Sequence, residues 1–352
     1  MCVITADKCL SAGLRAITVS LIGVIIMWRI SLVIFLLMPS YLGAQSVPKV
    51  RMAYTSINIQ MTAIYLMKEF NLARKQGLDA EILMIPVSSR AIQSALAGEI
   101  QFMTSGGVAN INANMAGGDF VGVTSTISTF IFKIMGQAVI KEPNQLRGKK
   151  VAISRIGGAS DFSLRYALER WGLVPDKDVA IIQVGGESEG LLALQNKAVD
   201  AATISEPFTT LAQSAGFSVV ADLSRLNAPY TLHGIGTRKS LIRDRRDMVV
   251  RFMRAYVEGI YLFKTNKELS LNTLKKYARL SDVSVMDSVY DDYSQRLIPA
   301  VPYPSAPGIQ TIIDHLGKTR PEAKGLKPND FIDSSILREI EDSGFVKKLY
   351  AN

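Results

Sequence analysis

Small polar residues and glycines recur along this chain at the entrances of predicted helices, each group directly after a short apolar run. They are Thr55-Ser56-Ile57-Asn58, Ser88-Ser89-Arg90, Ser105-Gly106-Gly107, Gly157-Gly158-Ala159-Ser160-Asp161, Gly185-Gly186-Glu187-Ser188 and Ser205-Glu206-Pro207. Hydroxyls, amides and main-chain N–H groups at a helix start present hydrogen bonds and partial positive charge, which suits a neutral polar or anionic solute. Any one group can equally be an ordinary helix cap. Their repetition at one structural position is the stronger signal.

Residues 148–171 (GKKVAISRIGGASDFSLRYALERW) show the unit most clearly. A buried strand leads to a glycine turn and then to a helix capped by Ser160 or Asp161. Leu164, Ala167, Leu168 and Trp171 share one helix face, and Gly172 with Pro175 ends the helix. The same grammar gives strands at 49–55, 80–87, 100–104, 120–124, 179–184, 199–204 and 219–223, with helices between them. Strands alternating with helices imply parallel sheets covered on both faces, with ligands received at the carboxyl ends of strands.

The polar stretch 141–149 (KEPNQLRGK) reads as a crossover between two lobes, and 232–238 (LHGIGTR) as the return. The predicted organisation is therefore a leader at 1–44, a first lobe at 45–138 and a second at 139–231. Residues 232–352 return to the first lobe. Two α/β lobes joined by two crossovers form a hinge that can close on a solute.

The 352 residues are 48% hydrophobic and 20% charged, enough for two such lobes. Residues 14–38 are almost wholly apolar apart from Arg15 and Arg29, and small residues follow up to Ala44. That pattern is a secretory signal cleaved after Ala44, and 27–44 would be a complete signal starting from Met27. An uncleaved membrane anchor is the alternative. Both cysteines, Cys2 and Cys9, lie in this leader. The exported part then holds no disulfide, no cysteine nucleophile and no thiolate metal site. Removing Lys8, Arg15, Arg29 and Asp7 with the leader lowers the formal net charge from +9 to +7. No basic stripe with aromatic partners accompanies that charge, so nucleic-acid binding is not expected.

Several stretches together resemble a known family. They are KEFNLARKQGLDAEI (68–82), AIQSALAGEIQFMTSG (91–106), LRGKKVAISRIGGASD (146–161), ALERWGLVPDKDVAIIQVG (167–185) and ALQNKAVDAATISEPF (193–208). In this set the chain is similar to the substrate-binding proteins of bacterial ABC importers for aliphatic sulfonates, taurine, nitrate and thiamine-pyrimidine precursors. The resemblance implies the two-lobed periplasmic binding protein fold of type II, with mostly parallel sheets, flanking helices and a two-crossover hinge. It also implies a periplasmic, monomeric receptor without cofactor or metal, which delivers a small anionic or polar organic ligand to an inner-membrane permease. The family often carries a glycine near Asn196 and Lys197, and this sequence does not.

The ligand contacts expected from the strand ends and from the resemblance are Tyr54, Ser56, Asn58, Ser88, Ser89, Arg90, Ser105, Gly106, Gly157, Gly158, Ser160, Asp161, Glu206 and His233. Arg90 and Arg165 are candidates for a bidentate clamp on a carboxylate or sulfonate, although Arg165 lies one turn into its helix and reads as solvent-facing. Glu206 is a candidate counter-charge for an amine or pyrimidine. His315 reads as a surface residue. An enzyme on the same scaffold, like those that make the thiamine pyrimidine, would need a cysteine motif that residues 45–352 lack. A membrane-tethered ligand sensor would keep the leader, but no signalling domain follows it.

Overall fold

The computed structural model describes residues 47–85, 88–279 and 286–351, with the side chains of Ser88 and Ser89 left out. The predicted leader lies outside the described residues. Residues Val47–Asn352 form one compact unit. No helix among the described residues is long and apolar enough to cross a membrane.

The unit holds two five-stranded sheets with the same plan. In the first, β1 (Lys49–Tyr54), β2 (Asp79–Met84), β3 (Phe102–Ser105), β4 (Phe120–Gly122) and β10 (Gly234–Arg238) lie in the order β2-β1-β3-β10-β4. In the second, β5 (Lys133–Gly136), β6 (Lys150–Ile153), β7 (Ala180–Gln183), β8 (Ala201–Ile204) and β9 (Ser218–Asp222) lie in the order β7-β6-β8-β5-β9. One strand in each sheet, β10 or β5, runs against both its neighbours, and the other pairings are parallel. These two are the first strands after each crossover. Each crossover therefore enters its new sheet as the antiparallel strand.

The strand β5 moves the predicted lobe boundary. Residues 133–136 pair with β8 and β9 of the second sheet, so the first crossover lies between β4 and β5 and not at 141–149. That polar stretch is a surface turn of the second lobe, a 3-10 helix at Pro143–Leu146. Glu142 and Gln145 close a capping box there, which explains its composition without a linker.

The crossovers pair with each other. Ile127 N–H donates to His233 O at 3.0 Å, Leu232 N–H to Ile127 O at 3.0 Å, and Tyr230 N–H to Ser128 O at 3.1 Å. Phe130 of the first crossover stacks on Tyr230 of the second, with centroids 4.4 Å apart and planes 5° from parallel. Phe162, from the second-lobe helix Ala159–Arg170, lies 5.1 Å from Tyr230. His315, from the first-lobe helix Ala306–Leu316, meets the edge of Phe162 at 4.7 Å. His315 is thus part of an aromatic array spanning both lobes and not the surface residue its sequence context suggests. Its Nδ1 lies 3.6 Å from Glu169, whose carboxylate also takes Lys318 at 2.8 Å.

The first lobe is anchored by the helix Arg246–Thr265. Val249, Phe252, Met253, Tyr256, Ile260 and Phe263 recur at spacings of three and four and are buried. Phe252 stacks on Phe102 of β3 at 3.9 Å. Burying a side chain of that size contributes about 1.5–3 kcal/mol. In the second lobe, Val151 and Ile153 of β6 face one apolar layer and Ala152 faces the other, as the period of two requires. Both sheets are therefore covered on both faces, and their polar groups concentrate at the strand ends.

Candidate functional site

From the first lobe, residues 54–58 leave β1 and lead into the helix Thr62–Glu69. Asn58 is extended (φ −162°, ψ 176°), and its Nδ2 donates to Ser56 Oγ at 3.1 Å. Asn58, Gln60 and Thr62 are all buried, and each keeps a side-chain oxygen without a hydrogen-bond partner. Each such oxygen costs roughly 1–3 kcal/mol relative to a paired one. Tyr54 packs edge-on against Tyr65 at 5.6 Å, so aromatic surface adjoins this strand end. Thr55 is tied to β3, with its N–H 3.1 Å from Thr104 Oγ1.

From the second lobe, β8 ends in Ser205-Glu206-Pro207, with a cis peptide between Glu206 and Pro207. Glu187 opens the helix Glu187–Gln195 and reaches back to this strand end. Its Oε2 accepts Ser205 N–H and Ser205 Oγ–H, both at 2.6 Å. Part of the residue remains accessible while its carboxyl group is enclosed. Burial raises the Glu187 pKa. Hydrogen bonds from Ser205 and from the Asn58 side chain oppose this, and neighbouring Glu206 adds to the rise.

Glu206 is engaged within its own lobe. Its Oε1 receives Lys133 Nζ at 3.1 Å, and its Oε2 accepts Thr210 N–H at 3.1 Å and Thr210 Oγ1–H at 2.8 Å. Tyr293 is carried by the first lobe beyond the helix Asp287–Asp292. It is buried, its hydroxyl has no partner, and Glu206 and Glu187 both add to the rise that burial imposes on its pKa. Asn58 and Tyr293 thus each keep a buried side-chain oxygen without a partner.

The other expected contacts are arranged differently. Gly157 N–H donates to Asp161 Oδ2 at 2.8 Å, Gly158 N–H to Arg155 O at 3.1 Å, and Ser160 Oγ accepts Ser154 N–H at 3.0 Å. The glycine turn therefore satisfies these groups internally. Arg165 is not solvent-facing, because Asp161 holds its Nε at 2.7 Å and Asp176 holds its Nη1 at 2.6 Å. Arg90 is exposed on the helix Ser88–Leu96. Gly106 lies against the second crossover, where an added Cβ would stand 2.3 Å from Leu232 O. Gly107 N–H donates to Thr231 O at 2.8 Å. Ser105 Oγ faces Gly236 and is unpaired. His233 is buried with both ring nitrogens unpaired, and burial lowers its pKa to about 4, so the ring is neutral at pH 7. The side chains of Ser88 and Ser89 lie outside the described residues.

Glu187, Lys133 and Tyr293 escape a reading by motif. Glu187 looks like one more acid favouring a helix start, since its partner Ser205 is distant in sequence and Asn58 is in the other lobe. The only sequence signal is that the two groups Gly186-Glu187 and Ser205-Glu206 follow adjacent strand units. Two open grooves also flank the helix Ala306–Leu316. One, of about 280 Å³, is lined by residues including Tyr166, Glu169, His315 and Lys318, and the other, of about 500 Å³, by residues including Gln310, Lys324 and Leu326. Neither contains a strand-end residue.

Residues 58–268 match the family described as NMT1/THI5 like, which is more than half of the chain. No curated protein matches it. Among solved structures, the chain is similar to the periplasmic aliphatic sulphonate binding protein SsuA from Escherichia coli. That likeness has a TM-score of 0.68 and 22% identity, covering 83% of this chain and 99% of that one. The alkanesulfonate-binding protein SsuA from Xanthomonas axonopodis pv. citri bound to MOPS gives 0.66 and 17%, covering 77% and 93%. The periplasmic nitrate-binding protein NrtA from Synechocystis PCC 6803 gives 0.73 and 14%, covering 85% and 89%. At these identities the likeness shows a shared fold, the mixed α/β arrangement of two sheets with flanking helices.

Proposed function

Because this chain belongs to the NMT1/THI5-like family, we propose that it is an extracytoplasmic solute receptor of an ABC importer. It holds a small polar organic molecule between its lobes and passes it to an inner-membrane permease. The observation that carries this reading is the junction itself. Two sheets of one plan are joined by two crossovers that pair with each other, and each lobe keeps buried side-chain oxygens without a partner, Asn58 and Tyr293 in one and Thr203 and Thr209 in the other. A solute hydrogen-bonding to both sets would favour lobe closure, because closure lets one molecule pair groups that neither lobe satisfies alone. The export leader expected from residues 14–44 and the fold shared with sulfonate- and nitrate-binding proteins support it. The proposal includes no catalysis. Residues 45–352 carry no cysteine, and His315 is built into the aromatic array.

Thermal unfolding of the full chain against sulfonates, taurine, nitrate, carboxylates, pyrimidines and small amines tests the proposal. A ligand that binds only the folded state at a hundred times its Kd stabilises by about 2.7 kcal/mol, a rise of several degrees that grows with concentration. A saturable rise for one chemical class is expected. The absence of any rise across the whole panel would overturn the receptor reading.

A further inference from the structure

The two lobes are joined at a second place besides the crossovers. Glu169 of the second lobe holds Lys318 Nζ of the first at 2.8 Å, and His315 Nδ1 lies 3.6 Å from the same carboxylate oxygen. Among the described residues, every other ion pair lies within a single lobe. The His315 ring also packs against Phe162 of the second lobe at 4.7 Å.

The two helices that carry this contact fix its place. The second-lobe helix Ala159–Arg170 starts at a strand end, where Ser160 Oγ accepts Ser154 N–H at 3.0 Å. Phe162, in its first turn, lies 5.1 Å from Tyr230 of the second crossover. Glu169 stands seven positions after Phe162, about 10 Å further along the axis at about 1.5 Å per residue. The first-lobe helix Ala306–Leu316 starts at the same crossover. Ser305 O accepts Thr231 Oγ1–H at 3.1 Å, and a Cβ added at Gly308 would stand 2.7 Å from Thr231 N. His315 stands seven positions after Gly308, again about 10 Å along its helix. Both helices are thus rooted at one crossover and meet again at their far ends.

Along the second-lobe helix the order is strand end, crossover, contact. The contact therefore lies beyond the hinge from the strand ends. A rotation about the crossovers that brings the strand ends of the lobes together carries the far ends of the helices apart. An open groove lined by Tyr166 and Glu169 on one side, and by Thr311 and Lys318 on the other, runs beside the contact. The far ends meet next to solvent and not in a dry core.

Resting on the receptor reading above, we propose that Glu169, Lys318 and His315 form a clasp that holds the lobes open and that closure on a solute must break. The side chains of Lys318 and Glu169 are 60% and 32% exposed, and an exposed pair of this kind shifts an equilibrium by about two- to fivefold. A bound solute overcomes that bias, while the empty receptor keeps it.

Small-angle scattering of the full chain with no solute added tests the clasp. Lys318→Glu and, separately, Glu169→Lys place like charges at the contact. The double variant Glu169→Lys with Lys318→Glu restores opposite ones. Each single variant should have a smaller radius of gyration than the unaltered chain, and the double variant should return to the unaltered value. Lys318→Glu changes a mostly exposed side chain and guards against a Glu169→Lys variant that fails to fold. Equal radii in all forms, or larger radii in the single variants, would overturn the clasp. A double variant that stays as compact as the single ones would do the same. None of these outcomes involves a solute, so the receptor reading stands or falls separately, on the thermal panel above.

Discussion

Replacing Gly234 by alanine should destabilise the protein by about 3 kcal/mol, the upper end of what overpacking usually costs. Gly234 opens β10 where the second crossover returns to the first lobe. An added Cβ would stand 2.0 Å from Thr124 O and 2.7 Å from Thr124 C. Those are backbone atoms of the other crossover, so no rotamer change relieves the clash. Thr124 also takes part in the pairing between crossovers, because its N–H donates to Ile235 O at 3.2 Å and its Oγ1 accepts Ile235 N–H at 2.7 Å. Pushing the two strands apart therefore breaks hydrogen bonds as well as contacts. Gly190→Ala is the comparison. Its Cβ would meet side-chain atoms alone, the nearest being the Ile204 Cγ2 methyl at 3.1 Å, and alanine favours its helix. Urea unfolding should show a loss of under about 1 kcal/mol for Gly190→Ala. Equal losses for the two variants would show that the close approach of the crossovers does not limit the fold.

Tyr230→Ala should cost about 3–5 kcal/mol, the range for removing a buried large aromatic side chain. Tyr230 is 1% exposed and stacks on Phe130 at 4.4 Å and Phe162 at 5.1 Å. Phe130 comes from the first crossover, Tyr230 from the second and Phe162 from the second lobe. His315 brings the first lobe to the far side of Phe162. One substitution therefore opens a cavity in the array where four segments meet. Tyr230→Phe separates packing from hydrogen bonding. Ser163 still donates to Ala159 O at 2.7 Å without the Tyr230 hydroxyl, so the loss should stay near 1 kcal/mol. Denaturant unfolding of the two variants reads the difference. A Tyr230→Phe loss as large as that of Tyr230→Ala would place the stabilisation in the hydroxyl and not in the stack.

The parts of the fold that are legible from sequence are those encoded locally. β1, β6 and β8 are short apolar runs closed by a polar or glycine turn, and the helix Arg246–Thr265 shows its apolar face in its spacing. The strand β5 escapes because residues 130–136 (FIFKIMG) carry no turn signal, while the following KEPNQLRGK has the composition of a linker. Only long-range pairing with β8 and β9 decides which sheet takes the strand, and that shifts the lobe boundary.

The candidate site divides in the same way. The strand ends after β1 and β8 are visible as Ser56, Asn58, Ser205 and Glu206. Glycines at 157 and 158 look like a main-chain cradle, yet Asp161 and Ser160 fold back on that turn. Arg165 looks free until Asp176, in a left-handed turn at φ 63°, closes on it. Glu187 acquires its partner only when Ser205, 18 residues along the chain, folds back against it. Side-chain partners distant in sequence leave no local pattern, so the strand-end grammar finds the strand ends but not which of their groups are already paired.

Amide hydrogen exchange, read by mass spectrometry with and without the compound that most stabilises the protein, tests the central claim most directly. A solute held between the lobes should slow exchange together in segments 54–62, 184–190 and 203–210, which carry strand ends of both lobes. Protection confined to one lobe, or to the groove lined by Tyr166 and His315 with those segments unchanged, would contradict it.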